Sequence, residues 1–419
     1  MNPLTNDKYY LKSLGIFFLI CLLSVGPVFA QFRWTPVRWI PTAKVDLLGG
    51  QLFFEGKNTS FTGHGNWLFA PGMKYSDKVY VLPLYSGKYR RMREVQELIG
   101  GGFLTKQTFE NAVAVNLRYV LNQSWTGKLK SSFRNQMLVE SKDEDLGKGL
   151  FDNNKLGFGI EMERAGRGRL KSLKVSFDPY LLRFIHYKSL SSGSRFGKEI
   201  KSGVNVLDYN GYDTLIGADV VLLPKLALSG SNLFSFRSYT DQNTVSKTGV
   251  YEDNLRKDLY NLTALGASYR LPNFAFKNFK VQSIANLDFS YAMNDSNQDN
   301  YDASRNKFNS NYYDYSEYTI TPKISARMLT KLDVNFSYSY SRRNYSDRMI
   351  QSKTGTYKTD LLYQNNHTLN YSLKYPLVYG LSATAQGIYR KTTSNMEYEK
   401  TYLYTYDSQH YYLGISWQY

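Results

Sequence analysis

The chain has one cysteine in 419 residues. It is Cys21, inside the apolar run 14–25 near the N-terminus. A chain that loses this run has no cysteine, which excludes a disulfide framework. Histidine is scarce, with His64, His186, His367 and His410 only. No spacing of His, Cys, Asp or Glu matches a metal site, and no phosphate loop or nucleotide fingerprint is present, so no cofactor is expected. Past residue 25 no apolar run approaches the roughly 20 residues of a membrane-crossing helix. The net charge of +17 is not gathered into a compact basic motif, so nucleic acid is not an expected partner.

The first thirty residues read as a secretory leader. Lys8 and Lys12 precede the apolar run, and Val28-Phe29-Ala30 before Gln31 offers a cleavage site. Cleavage there would leave 389 residues carrying +16. Residues 31–43 hold Phe32, Arg33, Trp34, Arg38 and Trp39, with Pro36 and Pro41. They are expected to form a short periplasmic segment or a plug tucked into a lumen. Residues 44–419 are expected to form one domain.

Within that domain a period of two keeps restarting. Leu332, Val334, Phe336, Tyr338 and Tyr340 alternate with Asp333, Asn335, Ser337, Ser339 and Ser341. Tyr318, Ile320, Pro322, Ile324, Ala326 and Met328 alternate with Glu317, Thr319, Thr321, Lys323, Ser325 and Arg327. Leu369, Tyr371, Leu373 and Tyr375 alternate with Asn370, Ser372 and Lys374. Side chains on a strand point to opposite faces in turn, so each segment has one apolar and one polar face. Tyrosine is abundant, 37 of 419, and suits the interfacial girdles of a barrel in lipid.

Sixteen strands are expected, within a range of 14–18. They pair as 44–55 with 60–72, 78–90 with 106–121, 124–138 with 154–165 and 169–186 with 212–228. The series continues with 231–241 and 258–270, 276–293 and 312–329, 331–345 and 357–375, 379–393 and 402–419. The joins between pairs are short, for example Asn122-Gln123, Ser229-Gly230 and Leu271-Pro272-Asn273. Those within pairs are mostly long and polar, as at 91–105, 142–153, 188–211, 241–257 and 294–311. Short turns on one side and long loops on the other define a transmembrane, antiparallel up-and-down β-barrel, all-β, with a polar lumen.

The chain ends in Ile415-Ser416-Trp417-Gln418-Tyr419. Here it resembles the outer-membrane β-barrel proteins of Gram-negative bacteria, porin-like and of no particular subfamily. Leu413, Ile415, Trp417 and Tyr419 match the alternating last strand with a C-terminal aromatic that the barrel-assembly machinery reads. Family members most often end in Phe. The resemblance implies an outer-membrane location, periplasmic short turns, and contact with lipid and lipopolysaccharide. It leaves the oligomeric state open.

The inward polar faces carry the functional candidates. Arg118, Lys128, Lys130, Arg134, Lys323, Arg327, Lys374 and Arg390 are expected to face the lumen, with Glu161, Glu163, Asp178, Asp288 and Asp333. Two readings follow: facing charged arcs that select ions, or charges that pair across a packed lumen and only stabilise it. Arg90, Arg91 and Arg93 cluster at a strand end and are candidates for lipopolysaccharide phosphates. The stretch 95–104, with Gly100-Gly101-Gly102, is less polar than the other loops and is a candidate constriction. His186 near Ser189, and His367 beside Asn365 and Asn366, form no recognised catalytic motif. The leading expectation is a non-enzymatic channel for small hydrophilic solutes or ions, favouring anions. The alternative is a non-conducting barrel acting in surface binding or export through its long loops, and less favoured again is a lipid-modifying enzyme.

Overall fold

The computed structural model describes residues 37–419 apart from 92–93, 99–100, 106, 140–144, 167, 188–203, 277–278, 329–330 and 400–402. At 57–60, 94–98, 101–105, 275–276 and 279–280 only the backbone is described. The leader 1–30, the segment 31–36, Arg93 and Ser189 lie outside the described residues.

Sixteen antiparallel strands form one closed wall. They are β1 (Ala43–Phe54), β2 (Lys57–Phe69), β3 (Val79–Arg91), β4 (Gln107–Val120), β5 (Trp125–Val139), β6 (Asn153–Ala165), β7 (Leu170–Phe184) and β8 (Tyr209–Leu223). The second half comprises β9 (Leu226–Val245), β10 (Tyr251–Arg270), β11 (Phe279–Ser296), β12 (Tyr315–Met328), β13 (Leu332–Gln351), β14 (Tyr357–Pro376), β15 (Leu381–Ser394) and β16 (Tyr406–Gln418). Each pairs with the next in sequence, and β1 pairs with β16 from Lys44↔Gln418 to Phe54↔Ser408. Closure leaves the wall no free edge, which matters in a chain with no other means of satisfying sheet-edge amides inside a bilayer.

The expected alternation holds along β12, β13, β14 and β16. Ile324, Phe336, Leu373 and Leu413 stand on the outer surface, and Leu413 is 71% exposed. The outer rows continue strand to strand, as in Leu129↔Ile160↔Phe177. An apolar band of this size is covered by lipid in barrels of this kind. Aromatic side chains mark its short-turn margin, including Tyr119, Tyr269, Phe274, Tyr375 and Tyr419, all exposed.

Several strand limits differ from those read in the sequence. The turn after β8 is Pro224-Lys225, and Ser229 and Gly230 lie within β9 opposite Asp219 and Ala218. Proline has a fixed φ and no N–H, which suits a turn and interrupts a ladder. The first hairpin turns at Glu55-Gly56, both with positive φ, so β2 begins at Lys57 rather than residue 60. The expected loop 241–257 is mostly strand: β9 and β10 run on past the apolar band to a tight turn at 246–250. Beyond lipid both faces of the hairpin are polar, so the ladder continues after the sequence period has vanished.

The segment Arg38–Ile40 pairs with Gly72–Lys74 at the short-turn end, with Trp39 60% exposed. The stretch Glu94–Leu98 pairs with Gly101–Thr105 as a separate two-stranded hairpin.

At the long-loop end one device recurs. Asp152, Asp208 and Asp314 each stand just before a strand that runs back from the long loops to the short turns. Their carboxylates accept the backbone N–H of Leu138, Phe184 and Ser296 at 2.7, 2.8 and 2.8 Å. Their own carbonyls accept from Ile185, Thr240 and Ser346. Each aspartate therefore finishes two ladders, one on either side of its strand. Burial pushes the Asp314 carboxyl up to about 6, helped by the nearby carboxylates of Asp295, Asp258 and Asp299 and opposed by the Ser296 N–H.

Candidate functional site

The inward face of β5, β6 and β7 carries a dense ion-pair network. Lys128 faces Glu161 in register, with Nζ 2.7 Å from Oε1. Lys128 also reaches Glu163 at 2.8 Å. Lys130 bridges Glu161 at 3.3 Å and Asp178 at 2.6 Å, and Lys174 approaches Glu161 at 3.7 Å. Glu161 is 6% exposed and is held by three ammonium groups. Arg134 lies 3.9 Å from Glu110, and Lys323 contacts Asp288 at 2.6 Å. Arg327 grips Asp333 through two hydrogen bonds of 2.6 and 3.1 Å. The acids expected to form an opposing arc thus lie beside the bases along the wall.

Three further candidates have other surroundings. Arg118 sits over the Tyr80 ring at 5.8 Å. Arg390 occupies the inward row of β15, between Thr368 and Ser408 in register. Lys374 lines a chamber at the short-turn end of the lumen, with a volume of about 820 Å³. The chamber holds four cations, Lys44, Arg270, Arg327 and Lys374, and two carboxylates, Asp46 and Asp333. Lys44 pairs with Asp46 at 2.9 Å. Arg270 and Lys374 have no ion pair within 4 Å among the described residues. Arg270 was not singled out in the sequence. Its signal was Tyr269, which faces out and so sends the next residue in.

The long-loop half of the barrel is lined differently. Tyr239 is 1% exposed, and its hydroxyl donates to Asp258 at 3.1 Å. Asp258 also takes two hydrogen bonds from Arg256, itself 2% exposed. Arg256 stacks on Tyr313 at 4.2 Å, and Arg237 lies between Tyr209 and Tyr260. Arg348 is buried among Tyr312, Tyr345 and Tyr404 and donates to the Tyr404 hydroxyl at 2.5 Å. Tyrosine here serves inward as a ring face for guanidinium, a use that composition could not separate from the outer girdles.

The remaining candidates are dispersed. Register sends Arg90 inward opposite His64, while the neighbouring Arg91, opposite Gly63, points away. His64 stacks edge-on with Tyr412 at 4.8 Å inside the barrel. His186 Nε2 meets the Gly147 carbonyl at 3.0 Å, and His367 Nδ1 meets the Tyr338 hydroxyl at 2.7 Å.

No protein-family model and no curated protein sequence matches the chain. Solved structures similar to it include OmpT of Vibrio cholerae, at 9% identity and a TM-score of 0.44 over 92% of this chain and 100% of that one. Pseudomonas aeruginosa OccD3 is similar at 9% identity and a TM-score of 0.43, over 91% of each chain. A mutant Rh. blastica porin is similar at 9% identity and a TM-score of 0.35, over 91% of this chain and 100% of that one.

Proposed function

We propose that this protein is an outer-membrane channel that passes small hydrophilic solutes or ions and prefers anions. One observation carries the reading. A closed barrel with an apolar outer wall encloses a polar chamber in which only cations, Arg270 and Lys374, lack an ion-pair partner among the described residues. A lumen lined by uncompensated cations raises the local concentration of anions and lowers that of cations. On this reading the short turns face the periplasm, the long loops face outward, and lipid covers the apolar band. The exposed rows ending in Leu413, Ile415 and Tyr419 remain available to the assembly machinery before insertion, and Arg91 to lipopolysaccharide.

The test is conductance of the refolded chain in a planar bilayer across a KCl gradient. Steady openings with an anion-side reversal potential support the channel. A second reading, a non-conducting barrel, is favoured by the packing of Tyr239, Arg256, Leu362 and Tyr412 in the long-loop half, each at most 3% exposed. Silence from folded protein selects that reading.

A further inference from the structure

Four side-chain amides face the same chamber as Arg270 and Lys374: Asn66, Asn273, Gln282 and Gln386. None makes a side-chain hydrogen bond to another protein group among the described residues. Each brings donors and an acceptor into the chamber, the pair of functions a hydroxyl group answers. A simple inorganic anion would use the two cations and leave these amides to water. The wall between them is not wholly polar. Ile284 lies on the inward row of β11 and is 38% exposed there. Cations, free amides and an exposed apolar side chain together match a molecule with an anionic head, several hydroxyls and one C–H face. The volume of about 820 Å³ falls in the range of small-molecule sites, about 300–1,000 Å³.

We propose that this chamber is a binding subsite for a hydroxylated organic anion of monosaccharide size, a sugar acid or a sugar phosphate. Its anionic head pairs with one of the two cations, and its hydroxyls exchange hydrogen bonds with the amide on the adjacent strand, Gln282 beside Arg270 or Gln386 beside Lys374. This rests on the channel reading for its role in passage, though the subsite can be measured without it.

The probes are sodium glucuronate and glucose 6-phosphate, with glucose and acetate as controls. Either charged sugar should block the chloride current saturably, and the more effective one identifies the head group. Glucose lacks the charge and acetate lacks the hydroxyls, so each should need at least a tenfold higher concentration. The variant R270Q/K374Q should lose the block. Q282A/Q386A keeps both cations and should narrow the gap between glucuronate and acetate. Heat-modifiable migration confirms that each variant is folded. Equal block by glucose or by acetate overturns the subsite, as does unchanged block in folded R270Q/K374Q. Calorimetric titration of the refolded barrel in detergent separates the two proposals. Current without block or binding heat removes the subsite alone. Binding heat from a silent barrel removes the channel and supports the subsite.

Discussion

Lys374 stands directly across the β13–β14 pair from Asp333, yet Asp333 gives both of its carboxylate oxygens to Arg327 on the other side. A bidentate guanidinium outcompetes a single ammonium for a planar carboxylate. The lysine is left facing the chamber, and one acid accounts for one cation of its two neighbours. D333N should therefore release a further cation and raise anion preference, while K374Q lowers it. K128Q should shift selectivity less than K374Q, because Glu161 keeps Lys130 and Lys174 and only Glu163 loses its partner. The zero-current potential in a KCl gradient reads all three. A K128Q shift as large as that of K374Q would contradict the assignment.

The Asp314 carboxyl sets a second expectation. Its folded value of about 6 lies above the ordinary 3.8. Between those two values the folded chain holds a proton that the unfolded chain has released, so this group's contribution to stability falls as pH rises from about 4 to about 6 and is level above. D314N keeps an oxygen for the Ser296 N–H and has no proton to lose. Its stability relative to wild type should rise across that window, read as the difference in urea midpoints. A difference that is constant with pH would refute this.

Arg256 and Asp258 form a buried pair that tolerates loss of neither partner. D258A leaves a guanidinium 2% exposed with no carboxylate beside it. The expected cost is about 3–5 kcal/mol, enough to lower the unfolding midpoint clearly in detergent. R256M/D258L, which removes both charges, should recover most of the loss.

Close backbone contact at the seam gives a fourth. A Cβ at Gly50 would overlap the Tyr411 carbonyl oxygen, and one at Gly414 would overlap that of Leu47. Relieving such overlap costs about 1–3 kcal/mol. G50A and G414A should each lower the fraction reaching the heat-modifiable form. G217A, whose added carbon would meet only ordinary contacts, should not.

Much of this architecture is legible in the sequence because lipid enforces it. Wherever one face of a strand meets hydrocarbon, as at Phe336 or Leu373, the alternation is clean and the strand is found. The signal fades at Glu252, Asp253 and Asn254, where water lies on both sides and only the backbone ladder persists. Candidate lumen residues were legible as inward-facing, because parity along a strand fixes that. Their partners were not. Lys128 meets Glu161 only through the register of β5 on β6, and no single strand encodes a register. The inward tyrosines escaped for a related reason: Tyr239 and Tyr371 have the same composition and opposite surroundings.

The seam between β1 and β16 also constrains when the wall can exist. Lys44 must wait for Gln418, the largest separation in sequence that any wall pair spans. Fourteen of the other pairings can form as local hairpins while the chain is incomplete, and the fifteenth needs only its neighbour. The ring itself is a late, single event, and contacts so distant in sequence form slowly. Until then β1 is an open strand edge, available to any chain that offers a complementary strand. The thirteen residues of β16 act on the chain as a clasp rather than as one stave among sixteen.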